Sequence, residues 1–407
     1  MIETDILESL AEHQPQVRQL IRATVAEQHE RGYYHTLREI CQQPSTWLDT
    51  CELMLRSRAG LIRSLAGIKT LVLTGSGSSE YAGACVRLVL QNELGIPTES
   101  IGGGTLLTYG GQALGPLRPG LVVSLARSGD SPESVGTLSL LLESEPELRH
   151  LILTCNAQGS LARSHREDAR VEVVTLDART NDCSLVMTSS FTNLVLAARF
   201  LGCLDNPGGY RDVCNKLSEI ASNMLQTSFG IFADLAQRNF QRVVFLGNGS
   251  RFGSAREAAL KMLEMTAGRV STVSETYLGL RHGPMSFLGE DSLIVCFLSS
   301  DARRRAYETD LLRELDRKGL GMAKLVIGDQ VPLELIRKQD AVIECNGLRD
   351  VGDENAPVVD AVAGQLLAFF RCLKEGLRPD SPSETGVIQR VVESFTLHDF
   401  PWERDGT

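Results

Sequence analysis

The stretch LVLTGSGSS, Leu71 to Ser79, returns 172 positions later as VVFLGNGSR, Val243 to Arg251. Each is a short apolar run that breaks into a turn of Gly and small polar residues. LVVSLARSGDS, from Leu121, is answered at the same offset by LIVCFLSSDAR, from Leu293. LILTC (Leu151) against AKLVIG (Ala323), and SSFTNLVLAARFLG (Ser189) against VAGQLLAFFRCLKEG (Val362), continue the series. A period this long exceeds the 20–50 residues of solenoid and propeller repeats, so it marks a duplicated α/β unit.

Apolar runs of four to six residues bounded by Gly, Ser, Asn or Pro, alternating with helical periodicity, read as buried parallel strands in βαβ units. The pattern predicts strands near 70–74, 121–125, 150–154 and 171–175, and again near 242–246, 292–298, 322–327 and 341–345. Residues 1 to about 66 carry helix-like spacings such as Leu20, Ile21 and Val25, with no strand signal. The expected division is a helical segment 1–66, a first unit 67–208, a second 209–380 and a tail 381–407 closing on the site. The Gly- and Pro-rich DNPGGYRD (205–212) is the expected linker, and RPDSPS (378–383) the breaker that ends the last helix.

The chain has 407 residues, 43% apolar and 23% charged, with net charge −10. Without a basic tract it lacks the positive footprint of a nucleic-acid binder, so a small ligand is expected. Ten cysteines without a CxxC pair, or a His/Cys cluster at metal-ligand spacing, read as reduced thiols of a cytoplasmic protein, and no metal is expected. The acidic start MIETDILESL has no signal-peptide core, and no apolar run approaches a membrane span.

TGSGSSEYAG (74–83) leads from a strand into a helix. Its glycines let the backbone approach a ligand, and Ser76, Ser78 and Ser79 add hydroxyls beside free helix amides, a setting for an anion or simply for capping. It matches neither a dinucleotide loop nor a P-loop, because Glu80 stands where a third glycine is needed and no GK[ST] follows. ARSGDSPES (126–134) repeats the design with Arg127, Ser128 and Ser131. Neighbouring strand ends of an open parallel sheet share one crevice, so the two turns can hold one phosphate. MTSSFT (187–192), with Ser189, opens the next helix. In the second unit, Glu257, Lys261 and Glu264 stand at i, i+4 and i+7 on one helical face, readable as a salt-bridged surface stripe or as acid–base groups. His282 lies in an RHGP turn, where a loop displays side chains.

Taken together, GSGSS, GNGS, ARSGDS, ALKMLE and LRHGP resemble the sugar isomerase (SIS) family from about Lys69 to Arg390. The order is that of the tandem-SIS aminosugar-phosphate isomerases. SLARSGDSPESV, TCNAQG, MTSSFT and TLREICQQPSTW resemble its galactosamine-6-phosphate deaminase/isomerase subgroup, often labelled tagatose-6-phosphate ketose/aldose isomerase. The resemblance implies an α/β chain of two tandem doubly wound parallel-sheet SIS domains behind an N-terminal helical segment. It implies phosphate-binding hydroxyls at Ser78, Ser79, Ser128 and Ser131, beside Ser76 and the charge of Arg127. Ser189, Arg251 and Lys261 complete the expected substrate contacts. Glu264 matches the carboxylate that moves a proton between C1 and C2, and His282 the histidine assisting ring opening, often delivered by the partner of a homodimer. SETGVIQRVVES (383–394) lacks the imine-forming lysine of the related synthase, and no glutamine-hydrolysing domain precedes residue 69, so degradation of an amino sugar without a cofactor is expected. Plain aldose–ketose isomerisation and a non-catalytic sugar-phosphate sensor are the alternatives.

Overall fold

The protein is described by a computed structural model that covers residues 7, 8, 10–12, 14–392 and 395–398. Among the described residues ten strands form two five-stranded sheets, and every pairing is parallel. The first contains β1 (Thr70–Gly75), β2 (Thr98–Gly102), β3 (Gly120–Ala126), β4 (Leu148–Thr154) and β5 (Val171–Thr175). The second contains β6 (Arg242–Leu246), β7 (Ser271–Glu275), β8 (Ser292–Phe297), β9 (Ala323–Gly328) and β10 (Ala341–Glu344). Their orders, β2-β1-β3-β4-β5 and β7-β6-β8-β9-β10, are the same. The registers agree too, Leu71 facing Leu121 as Val243 faces Leu293. In this order the chain reverses direction across the sheet between β1 and β3, which opens a crevice at their carboxyl ends.

The eight strands expected from the apolar runs are present, but β2 and β7 are not among them. TESIG and STVSE are equivalent edge strands with one neighbour each, mostly half-exposed. A strand covered on one side keeps polar residues, so its sequence lacks the buried-strand signature.

The principal helices are α1 (Tyr34–Cys41), α2 (Gln43–Leu65), α3 (Ser78–Leu94), α4 (Pro132–Ser144), α5 (Ser189–Arg199), α6 (Pro207–Ala236), α7 (Ser250–Met265), α8 (Ala302–Arg317) and α9 (Pro357–Lys374). The expected linker instead starts α6. Pro207 occupies the first turn, where a missing N–H costs nothing, and Asn206 Oδ1 accepts the Gly209 N–H at 3.1 Å. Nor does RPDSPS stop the last helix. α9 has ended by Lys374, followed by Gly376 at φ 72°. Asp380 then ties the chain back, its carboxylate accepting the Thr36 N–H and hydroxyl, both at 2.7 Å.

Leu71, Leu73, Leu121 and Val123 of one sheet share a single apolar cluster with Val243, Phe245, Leu293 and Val295 of the other. The seam is helical: α7 packs between α3 and α9. At the α3 crossing a Cβ on Gly253 would stand 2.6 Å from Cys85 Sγ and 2.7 Å from its backbone N, so only glycine permits this approach. The close crossing brings a second-unit helix beneath the β1 turn of the first unit. Among the described residues no helix is long and apolar enough to cross a membrane.

Candidate active site

A cleft of about 510 Å³ opens at the carboxyl ends of β1 and β3. Ser76, Ser78 and Ser79 line it from the β1 turn, and Arg127, Ser128 and Ser131 from the β3 turn. Gly77, between Ser76 and Ser78, has φ 56°, a left-handed conformation that turns the chain sharply into α3. The serines do not act as helix caps. Neither α3 nor α4 receives a side-chain cap bond, and Ser131 donates to Ser134 Oγ at 2.7 Å instead. The Ser76 hydroxyl is buried and has no hydrogen-bond partner among the described residues. Two helix N-termini without side-chain caps, with serine hydroxyls facing one cleft, are suited to an anion.

The floor comes from α7. Lys261 and Glu264 line the cleft, and Glu257 lies fully buried behind them. This helical face is therefore not a solvated stripe. The Lys261 ammonium donates to Ser78 Oγ at 3.0 Å and to Glu264 Oε2, and stands 3.4 Å from Glu257 Oε1. Burial works against its charge, but the two carboxylates outweigh that and raise its pKa, so it stays an ammonium. Burial pushes the Glu257 carboxyl up to about 7, with Lys261 opposing and Glu264 adding to the rise. Glu257 can thus hold or release a proton near neutral pH. The outer carboxylate, Glu264, is partly open to the cleft.

Arg127 lines the cleft but turns its guanidinium to backbone carbonyls, donating to Leu185 at 2.9 Å and Arg390 at 2.6 Å. Burial lowers its pKa from the usual arginine value. The described part of the tail supplies a wall, residues 386–392. Arg390 latches it, donating to the Asp182 carbonyl and to Asn181 Oδ1, both at 2.7 Å.

Two residues expected at the site, Ser189 and Arg251, lie elsewhere, and a third, His282, does not reach the cleft of its own chain. Ser189 is buried at the start of α5, where its hydroxyl donates to the Glu39 carbonyl at 2.7 Å and accepts from Gln42 Nε2 at 2.7 Å. Arg251 is fully buried in the second unit, forked onto Asp360 at 2.9 and 2.6 Å. At the position equivalent to Ser79, its long side chain turns inward and spends its charge on this pair. His282 is exposed on the turn before Gly283–Phe287 and does not line the cleft of its own chain. Glu133, absent from the expected site residues, lines the cleft with one carboxylate oxygen buried and without a hydrogen-bond partner among the described residues. Its place in the first turn of α4, two residues after Ser131, was the available signal.

An SIS-domain profile matches residues 235–369, the second sheet and its helices. A D-galactosamine-6-phosphate deaminase AgaS of Escherichia coli is 31% identical over 375 residues, covering 90% of this chain and 96% of that protein. The chain belongs to the SIS-domain family. A Streptomyces coelicolor relative of this SIS-domain chain, provisionally given the same AgaS name, is 37% identical over 371 residues, 89% of this chain and 95% of the relative. The solved structure of tagatose-6-phosphate ketose/aldose isomerase from Escherichia coli superposes with a TM-score of 0.81 at 28% identity, covering 90% of this chain and 96% of that one.

Proposed function

We propose that this SIS-domain chain is an aminosugar-phosphate deaminase/isomerase that converts galactosamine-6-phosphate to tagatose-6-phosphate and ammonia. The observation that carries the reading is the cleft itself, where two serine turns at helix N-termini without side-chain caps face a carboxylate–ammonium–carboxylate cluster. The names of the relatives supply the sugar. The phosphate sits between the turns at Ser76–Ser79 and Ser128–Ser131, and the opened sugar extends toward α7. Glu264 removes the C2 proton, giving an enolamine, and returns it to C1. The resulting C2 imine adds water and expels ammonia, leaving the ketose phosphate. Lys261, with its ammonium at Ser78 and Glu264, stabilises the negative charge that develops on the C1 oxygen. The steps proposed here are proton transfers and hydrolysis, and none draws on a cofactor. The tail 386–392 closes the cleft, and the units 67–208 and 209–380 act as one body across α7.

The test is phosphate dependence. Galactosamine-6-phosphate should be turned over and unphosphorylated galactosamine should not. Ser128→Ala and Ser79→Ala each remove a hydrogen bond to a charged group, worth about 1.5–3 kcal/mol, so each should weaken binding roughly ten- to a hundredfold. Parent-like KM values in both variants would remove the phosphate from these turns.

His282 enters the reading only through a second subunit, as the group that moves the ring-oxygen proton in a homodimer. Mixed dimers of inactive Glu264→Gln and inactive His282→Ala chains should then recover activity, because one of the two sites is intact. A monomer with full activity would contradict the shared site.

A further inference from the structure

We propose that His35, Glu39 and Cys183 form a binding site for one divalent transition-metal ion of the zinc class, which joins α1 to the segment that walls the cleft. One ligand atom from each residue lies within 4.8 Å of the others. His35 and Glu39 stand at i and i+4 on α1, so both project from one helical face. Cys183 arrives from the loop after β5. An imidazole, a carboxylate and a thiol form a mixed N, O and S set that suits zinc and leaves a fourth tetrahedral position for water.

The ligands are held in place by the surrounding chain. The His35 N–H donates to Asp380 Oδ2 at 3.2 Å, which fixes the start of α1. Glu39 is buried, with Oε1 accepting the Cys183 N–H and the Ser184 N–H, and Oε2 the Ser184 hydroxyl. Oε2, with one such bond, keeps lone-pair capacity. Neither ring nitrogen of His35 has a hydrogen-bond partner among the described residues, and Cys183 is exposed, which gives an ion a route in from solvent. Bonds of about 2.0–2.3 Å in a tetrahedron set ligand atoms roughly 3.3–3.7 Å apart. The triangle must close by about 1 Å, within reach of side-chain rotation at His35 and Cys183.

The location gives the ion a consequence. Ser184 and Leu185 offer the carbonyls that hold Arg127, and Asn181 and Asp182 those that hold Arg390. A metal at Cys183 therefore ties the N-terminal helices to the mount of both the cleft wall and the tail. No side chain is shared with the cleft, so this inference and the proposed activity stand or fall separately.

Cobalt(II) titration of the full chain, reduced and freed of metal, is the test. One equivalent of Co²⁺ should bind with the thiolate-to-cobalt charge-transfer band of a single sulfur ligand, zinc should displace it, and zinc should raise Tm by mass action. Cys183→Ser should abolish the band, and His35→Ala should lower affinity at least about tenfold. Cys203→Ser, at the half-buried cysteine, should leave both unchanged. Circular dichroism checks that each variant is folded. Absence of the band in the parent, its survival in Cys183→Ser, or parent affinity in folded His35→Ala overturns the site.

Discussion

Glu264→Gln is expected to cut turnover of galactosamine-6-phosphate by about 10²–10⁴, the usual cost of removing a general base, while the protein stays folded and binds the sugar phosphate. Gln keeps the shape of Glu and an oxygen for the Lys261 ammonium but cannot take the C2 proton. The packing around it tolerates the change, since Glu264 is partly open to the cleft whereas Lys261 and Glu257 are buried. The sharper readout is exchange of the C2 proton with deuterated solvent, which should stop in the variant. Were Glu264 only a partner for Lys261, the loss would be one of stability and exchange would continue at the parent rate. Glu257 would then be the next carboxylate to test, because burial holds it up at about 7 and Lys261 already connects it to Ser78.

The largest loss of stability is expected from Arg251→Ala. The fork onto Asp360 is inaccessible to water, and Asp353 stands 3.9 Å from the same guanidinium. Removing one member of such a pair strands its partner's charge in the interior, at about 3–5 kcal/mol. Asp360 retains the Ser254 hydroxyl, at 3.1 Å, which softens the cost without removing it. Denaturant titration should therefore show a much lower midpoint for Arg251→Ala, and Arg251→Leu combined with Asp360→Leu should recover part of it. A substrate contact would behave in the opposite way, raising KM with the midpoint unchanged.

Arg251 also shows where sequence reading stops. Its position in GNGSR is the repeat of Ser79, and a cation in a Gly-rich turn invites assignment as a substrate contact. Whether a long side chain turns outward to the cleft or inward to an acid depends on Asp360, 109 residues away on α9, and no local pattern reports that. Ser189 misled for a related reason, since a hydroxyl at a helix start looks the same whether it meets a ligand or the Glu39 carbonyl. The duplication was plain because buried parallel strands are continuous apolar runs whose spacing survives in both units. The edge strands β2 and β7 escaped because half of each faces outward. The α7 stripe was visible as a spacing, but its burial beneath the first unit comes from the Gly253 crossing with Cys85. Glu133 has only a weak signal in the sequence, since a glutamate in the first turn of a helix is ordinary by composition.

Plain aldose–ketose isomerisation and deamination share every proton transfer assigned to Glu264 and differ only in whether nitrogen leaves C2. The most direct measurement follows ammonia and tagatose-6-phosphate together during incubation of the purified chain with galactosamine-6-phosphate, with Glu264→Gln as the blank. The account predicts that both products appear at equal rates, one ammonia per ketose, and that the blank produces neither. A chain that interconverts an aldose phosphate and tagatose-6-phosphate while leaving galactosamine-6-phosphate untouched, with no ammonia released, would contradict it.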